Sequence, residues 1–219
     1  MPLPPNRVDY LPMIDRPVIK WANDAKVAFW VAPNIEHYEY LPPMDGVRNP
    51  WPRTPLPDVQ QYSVHEYGNR VGVFRVLDTL QRHGFKPTIA MDRLTAEHYP
   101  FLVRHCVARG FEFIAHGVSV NRMITSRMPE QEEREYIRTS VDALTRATGK
   151  APSGWLGPEY GESANTPGLL VEAGIRYVCD WVNDEQPYMP SRSRKGSCTR
   201  CLSRFRSTIS TRSGTGAST

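Results

Sequence analysis

The sequence predicts an α/β fold with a parallel sheet, and three observations predict it. Apolar runs of strand length alternate with amphipathic helical stretches, the breaks between them fall at Gly or Pro, and 219 residues suit one sizeable core. Residues 1–25 are rich in Pro and polar groups and read as an irregular arm. KVAFWVAPN at 26–34 is an apolar run of strand length and gives the first strand. The following stretch, 39–65, is crowded with proline, which fixes φ and removes backbone donors, so a long loop is expected there.

Beyond the loop the alternation becomes regular. RVGVFRVLDTLQRHG carries apolar Val73, Leu77 and Leu80 on one helical face and stops at Gly84. KPTIAMD is a short strand. Thr95 is placed to cap a helix that runs to about Arg109 and ends at Gly110, and FEFIAHG at 111–117 is the next strand. In PEQEEREYIRTSVDALTRATG, Pro129 and a run of acids mark a helix start, Ile137, Val141 and Leu144 an apolar face, and Gly149 the stop. GWLGP at 154–158, TPGLLVEAG at 166–174 and IRYVCDWV at 175–182 then read as strand, helix and strand.

The charge pattern argues against a polyanion partner. Net charge is +4, but seven of the 27 Lys and Arg lie in 191–219, which has no acid, so the rest of the chain holds 20 bases against 23 acids. A nucleic-acid reading would rest on that tail alone, without aromatic stacking residues or a known binding module. No apolar run has the roughly 18 residues of a membrane span, and the start lacks a leader pattern, so a cytoplasmic protein without a membrane partner is expected. Cys106 and Cys179 sit in apolar stretches as small packing residues, in keeping with a reducing compartment. Cys198 and Cys201 form a CxxC with no second ligand pair, which disfavours a zinc site.

From Ser191 the composition changes to a basic, Ser/Thr-rich stretch without strand or helix periodicity. Disorder is expected of it, and a frameshift near position 190 is the simplest origin, since some codon choices read one nucleotide out of phase resume a strand-like pattern. The expected organisation is therefore an arm (1–25), one α/β domain (26–190) and the tail (191–219). A sheet that lacks its last strands would leave an open edge and marginal stability.

In parallel sheets, functional groups gather at the carboxyl ends of strands. Glu36 and His37 follow the first strand, His116 ends the third, Trp155 to Tyr160 lie at the fourth and Asp180 at the fifth. A carboxylate and an imidazole gathered at strand ends can supply a base that takes a proton from water and a donor that holds an oxyanion. Glu36 suits the base if burial lifts its pKa toward neutrality, and His116 suits a donor or water-orienting group. His65 lies where the long loop returns to the domain, a position for substrate contact, while Asn69 and Arg70 suit anchors of that loop. Trp155 and Tyr160 offer ring faces for a sugar or heterocycle, and core packing is the competing use.

Over residues 20–190 the chain resembles the polysaccharide deacetylase superfamily. The similarity is carried by NIEHYEY, EYGNRVG, AHG and NTPGLLVEAGIRYVCDW. The resemblance implies a deformed (β/α) barrel, here incomplete at its C-terminus. It aligns Glu36 with the family's base and His37 with the second acid of the first motif, a metal ligand. His116 matches the first of two family histidines, Val120 stands at the second, and Asn121 follows. Glu159 lies where relatives carry an arginine that holds the base.

The broken ligand set resembles the branch of metal-independent allantoinases. No cofactor is then expected, with a divalent metal such as zinc on His37 and His116 as the alternative. The resemblance implies a hydrolase of non-peptide C–N bonds, with His65, Asn121, Trp155, Glu159, Tyr160 and Asp180 as substrate contacts. N-deacetylation of an acetamido sugar is the leading reaction. A cyclic-amide hydrolase of the allantoinase type, or an inactive barrel that binds carbohydrate or a protein, is the alternative. A small-molecule or oligosaccharide substrate is expected, with homo-oligomerisation open.

Overall fold

The structure, a computed structural model, describes residues 10–43, 56–187 and 200–201. Its elements are β1 (Asn34–Ile35), α1 (Val59–Tyr67), α2 (Val73–Arg82), β2 (Thr88–Met91), α3 (Arg93–His98), α4 (Pro100–Ala108), β3 (Glu112–Ala115), α5 (Glu130–Thr148), β4 (Gly154–Trp155), α6 (Thr166–Glu172), β5 (Tyr177–Val178) and β6 (Arg200–Cys201). All six strands pair in parallel in chain order, β1 to β6. Helices separate the strands from β2 to β5, as the alternation predicts. Among the described residues β6 does not pair with β1, so the barrel is open along that seam.

Several elements differ from the sequence reading for identifiable reasons. Of the run 26–34 only its end, at Asn34, is regular strand. The carbonyls of Val31 and Pro33 still accept from Thr88 and Ala90 of β2, but Pro33 has no N–H to return a bond, and Val27 and Phe29 are largely exposed. The expected loop 39–65 ends early, because buried Asp58 accepts from Gln61 N at 3.1 Å and caps α1. A π-helical turn, Gly68–Gly72, joins α1 to α2. Asp92, not Thr95, caps the next helix, its carboxylate accepting from Thr95 N at 2.6 Å. The single helix expected up to Arg109 breaks at Tyr99, since the residue before a proline avoids helical torsions. The tail lies outside the described residues except for Arg200–Cys201, whose backbone adds a strand beside β5 where no strand was expected.

The core explains how the sheet aims its functional ends. Ile89 and Met91, Phe113 and Ala115, Trp155 and Val178 face the helices and join Leu77, Leu102, Ile137, Leu144 and Leu170. The alternate residues Ala90, Ile114, Leu156 and Cys179 pack on the other face, under Trp30. One register row, Ile35, Met91, Ala115, Trp155 and Val178, crosses the sheet. The next residues along, Glu36, Asp92, His116, Leu156 and Cys179, therefore leave the strands on the side opposite the helices.

Candidate active site

The first three residues of that row make the site. Glu36 Oε1 and His116 Nε2 are 2.7 Å apart, and the other ring nitrogen, Nδ1, bonds the carbonyl of Leu156. His116 is 1% exposed, so a partner on each nitrogen is what makes its burial tolerable. Asp92 is fully buried and accepts from His37 N at 2.7 Å and Thr95 N at 2.6 Å.

The electrostatics correct one expectation. Burial alone raises the Glu36 carboxyl, but the hydrogen bond and charge of His116, assisted by His65 and Asn34, outweigh it and hold Glu36 below its ordinary value of 4.5. The carboxylate is thus ionised at neutral pH, not poised near neutrality. For His116, burial lowers the pKa, and the bond and charge of Glu36 reverse this, leaving it above 6.5. Burial pushes Asp92 up to about 7, against the lowering effect of its two backbone donors.

A lowered carboxyl stabilises the fold above its unfolded value of 4.5, and a raised imidazole does so below its unfolded value of 6.5. The stability difference between the parent chain and Glu36→Gln should therefore be largest between these values. It should shrink as pH rises through the folded pKa of His116 or falls through that of Glu36. Chemical unfolding across a pH series measures this; a pH-independent gap contradicts the ion pair.

The other expected residues divide into neighbours of the pair and residues placed elsewhere. Asn69, buried in the π-helical turn, donates to the Glu36 carbonyl at 2.8 Å, and Arg70 pairs with Glu66 at 2.7 Å, so both anchor the loop. His65 stacks on Tyr38 with centroids 5.0 Å apart, and its charge acts on Glu36. His37 turns away: its ring stacks on His98 at 4.7 Å, and Nδ1 lies 3.3 Å from Tyr99 Oη. Asn121 accepts from Glu39 N at 2.7 Å, which ties the β3–α5 connection to the segment after β1.

Trp155 is 0% exposed and packs edge-on to Tyr136, so it belongs to the core and not to a ligand surface. Glu159 and Tyr160 are exposed, on consecutive residues with φ of 52° and 56°, in the connection between β4 and α6. Asp180 is buried and accepts from Gly157 N at 2.6 Å.

Three acids escaped the sequence reading. Asp92 carried a signal, since it follows β2 as His116 follows β3. Glu162 receives the Trp181 indole N–H at 2.9 Å. Glu133, fully buried on α5, accepts from the hydroxyls of Ser163 (2.6 Å) and Thr166. It pins the β4–α6 connection to the body of the fold. Glu133→Ala strands both hydroxyls and is expected to cost about 2 kcal/mol, read by thermal or urea unfolding; a loss below about 0.5 kcal/mol, the level of an ordinary surface substitution, contradicts that role.

The alternative of a zinc ion on His37 and His116 does not fit these donors. Both His116 nitrogens are engaged, Glu36 bonds one of them directly, and His37 contacts Tyr99 and His98 instead. Val120, which the resemblance sets at the second family histidine, has no donor atom in its side chain. Among the described residues no three His, Cys, Asp or Glu side chains converge on one point, whereas a zinc site takes at least three protein donors. No helix of the described residues is long and apolar enough to cross a membrane.

Comparison with known proteins bears on the family and the fold. A family model for polysaccharide deacetylase matches residues 62–178, about half of the chain. The chain is 28% identical over 123 residues to a peptidoglycan deacetylase of Helicobacter pylori, covering 56% of this chain and 41% of that protein. It is 26% identical over 201 residues to a putative polysaccharide deacetylase of Schizosaccharomyces pombe, covering 81% of this chain and 61% of that protein. The chain therefore spans less than two thirds of either relative. Among solved structures, Puue allantoinase superposes with a TM-score of 0.71 at 26% identity, over 91% of this chain and 70% of that one. A probable polysaccharide deacetylase from Pseudomonas aeruginosa PAO1 gives 0.70 at 26% identity, over 88% and 66%. With the parallel open barrel and its strand-end Glu and His, these matches identify the chain as a member of the polysaccharide deacetylase family.

Proposed function

We propose that this chain is a hydrolase of non-peptide C–N bonds that removes the acetyl group from an acetamido sugar. The observation that carries the reading is the Glu36–His116 contact of 2.7 Å at the carboxyl ends of β1 and β3. Glu36 is ionised at neutral pH and takes a proton from the attacking water. His116, held by the Leu156 carbonyl and by Glu36, keeps that carboxylate oriented and carries positive charge beside the developing oxyanion. Asn69 fixes the Glu36 backbone so that the carboxylate is preorganised.

His65, Asn121, Glu159, Tyr160 and Asp180 are the proposed substrate contacts, and the half-exposed ring of Tyr160 suits a sugar face. The mildly acidic body leaves nucleic acid a poor partner, and a cytoplasmic location is the reading that suits Cys106 and Cys179 as buried packing residues. The superposition on Puue allantoinase favours a second reading, ring opening of a cyclic amide such as allantoin, which would use the same base.

The two readings separate by product. Incubation of the full chain with N-acetylglucosamine oligomers is expected to release acetate, while allantoin is left unopened. Ring opening without acetate release would replace the first reading by the second, and inertness toward both would refute the enzymatic reading.

A further inference from the structure

The peptide that follows Glu36 is held at both of its polar ends by buried side chains from two different parts of the fold. Its carbonyl, Glu36 O, accepts from Asn69 Nδ2 at 2.8 Å, and its N–H, on His37, donates to Asp92 Oδ2 at 2.7 Å. Asn69 is buried in the π-helical turn, and Asp92 is fully buried just after β2. The second oxygen of Asp92, Oδ1, caps α3 by accepting from Thr95 N at 2.6 Å.

Capping alone does not account for an acid at this position. Serine caps a helix start about as well and has no carboxylate to desolvate. What serine lacks is a second oxygen, and here that oxygen reaches His37 N. The pairing of β1 with β2 ends at Ile35, so the ladder no longer fixes the backbone at the residue that carries the base. Side chains take over from there: the Asn69–Asp92 clamp first, and then Asn121 Oδ1, which accepts from Glu39 N at 2.7 Å. Holding both ends of one planar peptide restrains the torsions on either side of it. The clamp thereby sets the direction in which the Glu36 side chain leaves the backbone and meets His116 Nε2, 2.7 Å away.

We propose that Asp92 is a positioning residue for the base: with Asn69 it clamps the Glu36–His37 peptide and fixes the Glu36 carboxylate against His116 and the attacking water. The inference rests on the amide-hydrolase reading. Asp92 touches no reacting atom and exchanges no proton in the step; it acts through the His37 N–H.

The capping and clamping roles separate in Asp92→Ser, which keeps a cap for Thr95 N and has no oxygen left for His37 N. Full chains carrying Asp92→Ser, Asn69→Ala or both are compared with the parent on N-acetylglucosamine oligomers, by acetate release and by melting temperature. Each single variant is expected to lower kcat by about a hundredfold, the loss that a displacement of about 1 Å can bring, with KM within about twofold. The melting temperature of Asp92→Ser should stay close to the parent's. Because both side chains hold one peptide, the double variant should lie within about threefold of the slower single variant, whereas independent effects would multiply to about ten-thousandfold. Asp92→Thr, which also caps α3 and fills more of the space, replaces Asp92→Ser if that variant fails to fold. An unchanged kcat, a multiplicative double variant, a change in KM alone, or failure of both Asp92 variants to fold overturns the inference and leaves Asp92 a structural cap. A parent chain that releases no acetate overturns the amide-hydrolase reading itself, and the inference with it.

Discussion

Glu36→Gln is expected to lower kcat for C–N hydrolysis by about 10²- to 10⁴-fold, the usual contribution of a positioned base, with KM little changed. Glutamine keeps the size of the side chain and can still accept from His116 Nε2, but it cannot take a proton from water. The stability loss should be small beside the catalytic one, because an uncharged acceptor remains for the buried imidazole. Steady-state rates and a melting curve on the same preparation check both halves. An unchanged kcat would remove Glu36 from the chemistry. A collapse of the fold would mean that the pair is mainly structural.

Trp155→Ala is expected to be among the most destabilising single substitutions, at about 3–5 kcal/mol, the range for truncating a large buried aromatic. Trp155 is fully buried, sits in the register row between Ala115 and Val178, and meets Tyr136 edge-on at 6.5 Å. A cavity at that point opens the floor beneath Leu156 and Gly157, through which His116 and Asp180 are held. Denaturant unfolding reads the loss directly. If Trp155 instead served as a stacking platform for ligand, stability would change little and KM would rise.

The residues that reveal themselves in the sequence are those whose position follows from alternation alone. The parallel order of the strands, the α5 boundaries with Gly149 at φ 75°, and the strand-end placement of Glu36 and His116 all come from period and punctuation. What alternation does not carry is the identity of neighbours. Burial of Glu36 suggests a raised pKa, and only the contact with His116 80 positions away reverses the sign. Trp155 reads equally well as ligand platform or core until its packing against Tyr136 is seen. The run 26–33 is apolar enough for a strand, but Pro33 limits its hydrogen bonding to accepting from β2. Asp92 was hidden for a different reason: an acid after an apolar strand looks like a loop residue, and only complete burial with two backbone donors makes it part of the site.

The most direct test of the account is acetate release from N-acetylglucosamine oligomers by the full chain after dialysis against chelator, with Glu36→Gln measured alongside. The arrangement of Glu36 and His116 predicts release that persists in the dialysed parent chain and is lost in the variant. Equal release by both proteins, or release that returns only when a divalent metal is restored, would contradict it.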